Sequence, residues 1–232
     1  MKLVGGPHRE LDLVFTHLHM DHVFGLPFFV PIYAPGFKVR ITVPAFSSEE
    51  AREKLARYLN GVYHPTRIGD LPAEVSFHPV RPGRRFTAGG FELEGLSLNH
   101  PGGAIGYRIT ADGHSFAYIT DTAPFAKPGE GVAAGQPAPK REQRIIDFLR
   151  DCDLVVYDTM YDHDEYLERM TWGHSYPEYA AAVARAAGVG RLVLFHHLPD
   201  AADDQLDELE RRWSEHERPE VLVAREGVTL EV

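Results

Sequence analysis

The chain is poor in cysteine, in long apolar runs and in positive charge. Its 232 residues include one cysteine, Cys152, so no intramolecular disulfide can form. No stretch reaches the roughly 18 apolar residues that a membrane-spanning helix needs. Met1 to Leu13 shows no apolar run or cleavage pattern of a secretory leader. These absences point to a cytoplasmic protein with no membrane partner. Lys and Arg number 24 against 34 Asp and Glu, a formal net charge of −10. Such a surface repels polyanions at long range, which argues against long RNA or DNA as a partner. The remaining composition is ordinary, with 44% hydrophobic and 25% charged residues. That is enough apolar material for a sizeable core, and a single domain over 1–232 is expected.

Apolar periodicity divides the chain into two regimes. Leu11 to Thr16 reads as a short buried strand, and Lys38 to Val43 as an alternating one. Ser47 opens a helical stretch, SSEEAREKLARYL, with acidic residues in its first turn. Glu74 to Val80, Phe91 to Leu98, Ile105 to Thr110 and Ser115 to Thr120 read as strands, the last two joined by the turn signal Asp112-Gly113. Beyond these, helix and strand alternate: Lys140 to Arg150 and Tyr176 to Ala187 helical, Asp153 to Tyr157 and Arg191 to Phe195 extended, Asp203 to His216 helical again. Pro124 to Pro139, rich in Gly, Pro and Ala, is expected to be a loop and a mobile flap. No short-period repeat is present. Two sheets with helices outside them, an α/β sandwich, is the expected architecture.

Thirteen histidines stand out in an acidic chain, and four potential ligands fall within six residues: His17, His19, Asp21 and His22. His17 and His19 lie two apart, so both point one way from extended backbone. Asp21 and His22 come as the chain turns, so their side chains diverge. Imidazole and carboxylate together suit zinc or iron. The cluster follows a buried strand, where active sites of α/β sheets form. Two metals need more ligands, and three polar residues follow other apolar strands: His100 in Asn99-His100-Pro101, Asp121 in Thr120-Asp121-Thr122, and His196 in Phe195-His196-His197. Together they complete a seven-ligand set, with His197 the alternative to His196. His8, His64, His78, His114, His163 and His216 fall in no ligand pattern. Cys152 reads as a core thiol, and Tyr107, Arg108 and Tyr161 are candidates to line the pocket.

His-x-His-x-Asp-His, then a histidine, an aspartate and a last histidine after successive strands, resembles the metallo-β-lactamase superfamily over Leu11 to Asp204. The resemblance implies an αββα sandwich. It also implies one metal on His17, His19 and His100, a second on Asp21, His22 and His196, and Asp121 bridging both. Members usually carry several strands and an Asp-x-Gly segment before the first motif, whereas 16 residues precede His17 here. A shortened N-terminal sheet is therefore expected. One of its edges would be exposed, and a homodimer is among the expectations.

Trp172-Gly173-His174-Ser175, with Tyr157-Asp158-Thr159-Met160-Tyr161 upstream, is similar to the ribonuclease Z-like branch of that superfamily. By that match His174 contacts the phosphate or protonates the leaving group, and Asp158 orients it. His22 to Pro35 is similar to cyclic-nucleotide phosphodiesterase-like members. The arm that ribonuclease Z uses to grip transfer RNA has no counterpart, and Pro124 to Pro139 has only Lys127, Lys140 and Arg141 as nearby cations. The expected activity is a phosphodiesterase acting on a small or cyclic phosphate ester. Two divalent ions, Zn2+ with Mn2+ or Fe as alternatives, would activate water, and Asp21 or Asp121 would accept its proton. A thioester or lactone hydrolase on the same metals, a di-iron redox protein and a non-catalytic metal-binding protein are the competing readings.

Overall fold

Strands β1 (Glu10–Val14), β2 (Lys38–Pro44) and β3 (Glu74–Val80) form a parallel sheet in the order β1-β2-β3, with Leu11 opposite Val39 and Ile41 opposite Phe77. The computed structural model describes residues 8–214 and 218–232. The chain divides into two compact units, 1–90 and 91–232.

In the first unit, Val39, Ile41 and Val43 alternate to one face of β2 and are fully buried. Burial of each is worth about 1.5–3 kcal/mol. That face packs with Ala51 and Leu55 of helix α2 (Ser48–Ala56). The Ser47 hydroxyl caps α2 by accepting from the Glu50 amide at 3.1 Å, and the Glu50 carboxylate accepts from the Phe46 amide at 2.7 Å. The helix stops at Ala56 rather than running on to Leu59. Tyr58, just beyond it, ties down the histidine loop, because its hydroxyl donates to the Leu18 carbonyl. A one-turn helix, α1 (Met20–Val23), lies inside the histidine motif, and a short strand, β4 (Arg85–Ala88), follows β3. Both escape sequence reading because neither is long enough to show a period.

In the second unit, β5 (Phe91–Ser97), β6 (Ile105–Ala111) and β7 (His114–Ile119) pair antiparallel. Strands β8 (Leu154–Asp158), β9 (Arg191–Phe195) and β10 (Glu220–Val223) continue parallel to β7, in the order β10-β9-β8-β7-β6-β5. Asp112 and Gly113, at φ 51° and 85°, make the tight turn between β6 and β7. Helices α3 (Lys140–Phe148), α4 (His163–Glu168), α5 (Pro177–Ala187) and α6 (Asp203–Trp213) fill the intervals. The expected extension of α6 to His216 runs outside the described residues. Strands β5, β7, β8 and β9 point the same way. Whatever follows their last residues therefore collects on one edge of the sheet.

The segment Pro124 to Pro139 is pinned rather than hung as a free flap. Asn99 Nδ2 donates to the Pro124 carbonyl at 2.8 Å, the Phe125 amide to the Tyr179 hydroxyl at 2.9 Å, and the Val132 amide to the Glu142 carboxylate at 3.0 Å. Glu142, in α3, is wholly buried. The composition that marks a loop says nothing about such anchors. Among the described residues no helix is long and apolar enough to cross a membrane.

Candidate metal centre

The first unit carries four of the predicted ligands. The Phe15 amide donates to the Thr42 carbonyl at 2.9 Å, so β1 pairing persists almost to the motif. His17 is buried, with Nδ1 3.1 Å from the Thr16 hydroxyl. Its ring lies 4.7 Å from that of His19 and 4.2 Å from that of His22. The α1 turn sends Asp21 outward and brings its Oδ2 to 3.2 Å from His22 Nε2. Tyr58 holds the loop from behind at Leu18.

The second unit gathers five more residues at the strand-end edge. Asp121, two residues past β7, is buried and accepts from the Thr120 hydroxyl. Its oxygens lie 3.7 Å from His100 Nε2 and 3.3 Å from His196 Nε2. His100 Nδ1 donates to the Gly173 carbonyl at 2.9 Å, which fixes the ring and aims Nε2 at the carboxylate. Gly173 is required there: at φ +93° any Cβ would overlap His100 Nδ1 and Pro101 Cδ. Asp158, at the end of β8, is fully buried and accepts from the Thr122 and Met160 amides at 2.8 and 3.1 Å. Its Oδ2 lies 2.9 Å from His174 Nδ1. The His174 ring stacks on His196, with centroids 5.0 Å apart at 15°, and Tyr161 meets it edge-on.

His196 sits at φ 62°, a left-handed conformation uncommon outside glycine. The kink at the end of β9 turns its ring toward Asp121 and Asp158, 3.9 Å from the latter. His197 turns elsewhere, and burial pushes its imidazole below the usual histidine range.

These residues suit a metal. A carboxylate as buried as Asp121 is tolerated only when paired or bound to a cation. Ligand atoms of His100, Asp121 and His174 all lie within 4.8 Å of one another, as do those of Asp158, His174 and His196. Imidazole with carboxylate is a donor set for Zn, Mn or Fe rather than for Ca.

Two expected pocket residues are committed elsewhere. Tyr107 is buried within β6, and Arg108 donates to the carbonyls of Phe148 and Arg150 at 3.0 Å, tying down the chain after α3. Cys152 is buried, and burial raises its thiol above the usual range, so it stays a protonated core residue. Sequence reading missed Thr120, Thr122 and Gly173 as supports. The first two flank Asp121 directly, and that adjacency was the available signal.

A sequence model described as a beta-lactamase superfamily domain matches residues 6–197, running through both units. The chain belongs to the β-lactamase superfamily. Within it the chain is similar to proteins named ribonuclease Z. It is 26% identical over 227 residues to ribonuclease Z of Thermoplasma acidophilum, covering 84% of this chain and 71% of that protein. Among solved structures it is similar to the metallo-beta-lactamase fold protein YhfI from Bacillus subtilis, with TM-score 0.66, 20% identity, and coverage of 94% and 75%. It is also similar to a diphosphatase from the PhnP family, with TM-score 0.66, 20% identity, and coverage of 99% and 74%. The α/β fold is thus that of the metallo-β-lactamase proteins, and the protein is a metal-dependent hydrolase.

Proposed function

We propose that the protein is a cytoplasmic phosphodiesterase acting on a small or cyclic phosphate ester. In this reading His17, His19, Asp21 and His22 from the first unit, and His100, Asp121 and His196 from the second, serve one pair of divalent ions within one domain. Zinc is the metal this donor set favours, with Mn and Fe as alternatives. The observation that carries the reading is the Asp158–His174 contact of 2.9 Å on the edge that also bears His100, Asp121 and His196. A bound divalent pair supplies an activated water and neutralises charge on the phosphoryl oxygens.

The rest falls to the chain's own groups. Asp158 is anchored by two backbone amides and accepts from His174 Nδ1, which fixes the ring; in this reading His174 Nε2 serves the substrate. From there Nε2–H donates to a phosphoryl oxygen or hands its proton to the leaving oxygen. Asp21 or Asp121 takes up the proton released from water. Support for phosphate esters over carbonyl substrates comes from this pair, together with relatives named for a ribonuclease and a diphosphatase.

The test is element analysis of the purified chain with turnover of bis(p-nitrophenyl) phosphate, run beside a thioester and a lactone. Metal-stimulated diester hydrolysis that collapses in His174→Ala is expected. Hydrolysis of the thioester or lactone alone would overturn the reading, and so would full diester activity in His19→Ala.

A further inference from the structure

The face of the β1-β2-β3 sheet opposite the Val39, Ile41 and Val43 face opens into a groove of about 370 Å3. Its lining includes Arg40, Arg81, Arg84, Arg85, His78 and Phe46. Asp12 is the one carboxylate in that lining among the described residues, and it is already engaged. It accepts Nε and Nη2 of Arg40 at 2.7 and 2.6 Å and the Gly89 amide at 2.7 Å. Those contacts, the Arg40 hydrogen bond foremost, hold its carboxyl below the usual range. Glu50 acts on Arg81 electrostatically, but it is paired with Lys54 at 2.8 Å. With Arg40 taken up by Asp12, Arg81 and Arg84 give the groove guanidinium charge that its one lining carboxylate does not offset.

The surplus runs against the charge of the whole chain. No Asp or Glu occurs between Glu74 and Glu92, a stretch that contains three arginines. Residues 1–90 carry 11 Lys and Arg against 8 Asp and Glu, while residues 91–232 carry 13 against 26. Clustered guanidinium groups repel one another unless an anion joins them, and their planar fork matches phosphate oxygens. At the rim, Phe46 is 73% exposed, and the Arg81 guanidinium lies over its ring, 5.1 Å from the centroid. An exposed ring beside a guanidinium is a platform on which a nucleobase stacks. The volume falls in the range of small-molecule sites, about 300–1,000 Å3.

We propose that this groove is a second ligand site, for a nucleotide carrying two or more phosphates, with Arg81 and Arg84 on the phosphates and Phe46 under the base. The site lies wholly within the first unit and does not depend on what the metal centre hydrolyses.

The experiment is calorimetric titration of the full, metal-loaded chain with α,β-methylene-ADP, which resists hydrolysis. Saturable binding is expected, and Arg84→Glu should weaken it at least about tenfold. Phe46→Ala should weaken it severalfold, and His19→Ala should leave it intact. Turnover of bis(p-nitrophenyl) phosphate should be unchanged in Arg84→Glu and Phe46→Ala, which keeps this site separable from the phosphodiesterase reading. Should Arg84→Glu melt early, Arg84→Gln carries the comparison. The proposal is overturned by absence of binding, or by binding that is lost in His19→Ala yet kept in Arg84→Glu. It is equally overturned if tripolyphosphate binds as tightly as the nucleotide with Phe46→Ala silent. Much tighter capture of a short single-stranded RNA by the same arginines would make the groove a strand site and overturn it too.

Discussion

Asp158 and His174 show how one carboxylate sets the use of one imidazole. Two amides and the His174 ring converge on a carboxylate with no exposure to water, so the ring's orientation is fixed before substrate arrives. Asp158→Asn preserves shape but removes the charge that holds His174 Nδ1–H. Diester turnover should fall by about 10²–10⁴-fold, with metal content by element analysis unchanged; loss of metal would make Asp158 a ligand instead. Glu142 gives a second prediction at this scale. Burial raises its carboxyl above the usual value of 4.5, against hydrogen bonds from Val132 and Tyr179 that lower it. A carboxyl with a raised folded pKa leaves native stability untouched below the unfolded pKa and lowers it as pH climbs from 4.5 through the folded value. Glu142→Gln keeps an acceptor for the Val132 amide while removing the charge. Its melting temperature, compared with the native chain, should gain most above that window and least below it.

Local backbone chemistry decides where the elements place these residues. Gly131 is at φ +74°, and a Cβ there would meet the Glu142 carboxylate and approach Ala126 Cβ to 2.7 Å. Gly131→Ala should therefore destabilise the second unit by about 1–3 kcal/mol in denaturant titration. The position is fixed twice, by the pin beneath the Pro124 to Pro139 segment and by the positive φ with which Gly131 opens the turn Val132–Ala134. On α2, Ser47→Ala removes the hydroxyl that caps the Glu50 amide and should cost about 1 kcal/mol. It should leave bis(p-nitrophenyl) phosphate turnover intact, since α2 supports the sheet and contributes no ligand.

At the scale of the molecule, metal and stability are linked. In the proposed metal-bound reading, ions held only by the folded chain would make stability depend on free metal. Zinc at about 100 times its dissociation constant adds about 2.7 kcal/mol. Chelation should lower the melting temperature, re-addition should restore it, and His100→Ala should blunt the response. The sequence by itself determined the strand after which the candidate ligands begin, the His-x-His-x-Asp-His spacing, and the α/β alternation of the second half. These are local in the chain, written as a period or a spacing within a few residues. The −10 net charge was also legible, but a net charge averages over the surface and hid the arginine groove on the first unit. The gathering of His100, Asp121, Asp158, His174 and His196 was decided by tertiary structure, because the common direction of β5, β7, β8 and β9 brings residues up to 96 positions apart to one edge. The φ of His196, the Gly173 carbonyl that aims His100 and the buried pin at Glu142 are likewise tertiary facts. Each depends on a partner distant in the chain, and no window of sequence contains both halves of such a contact.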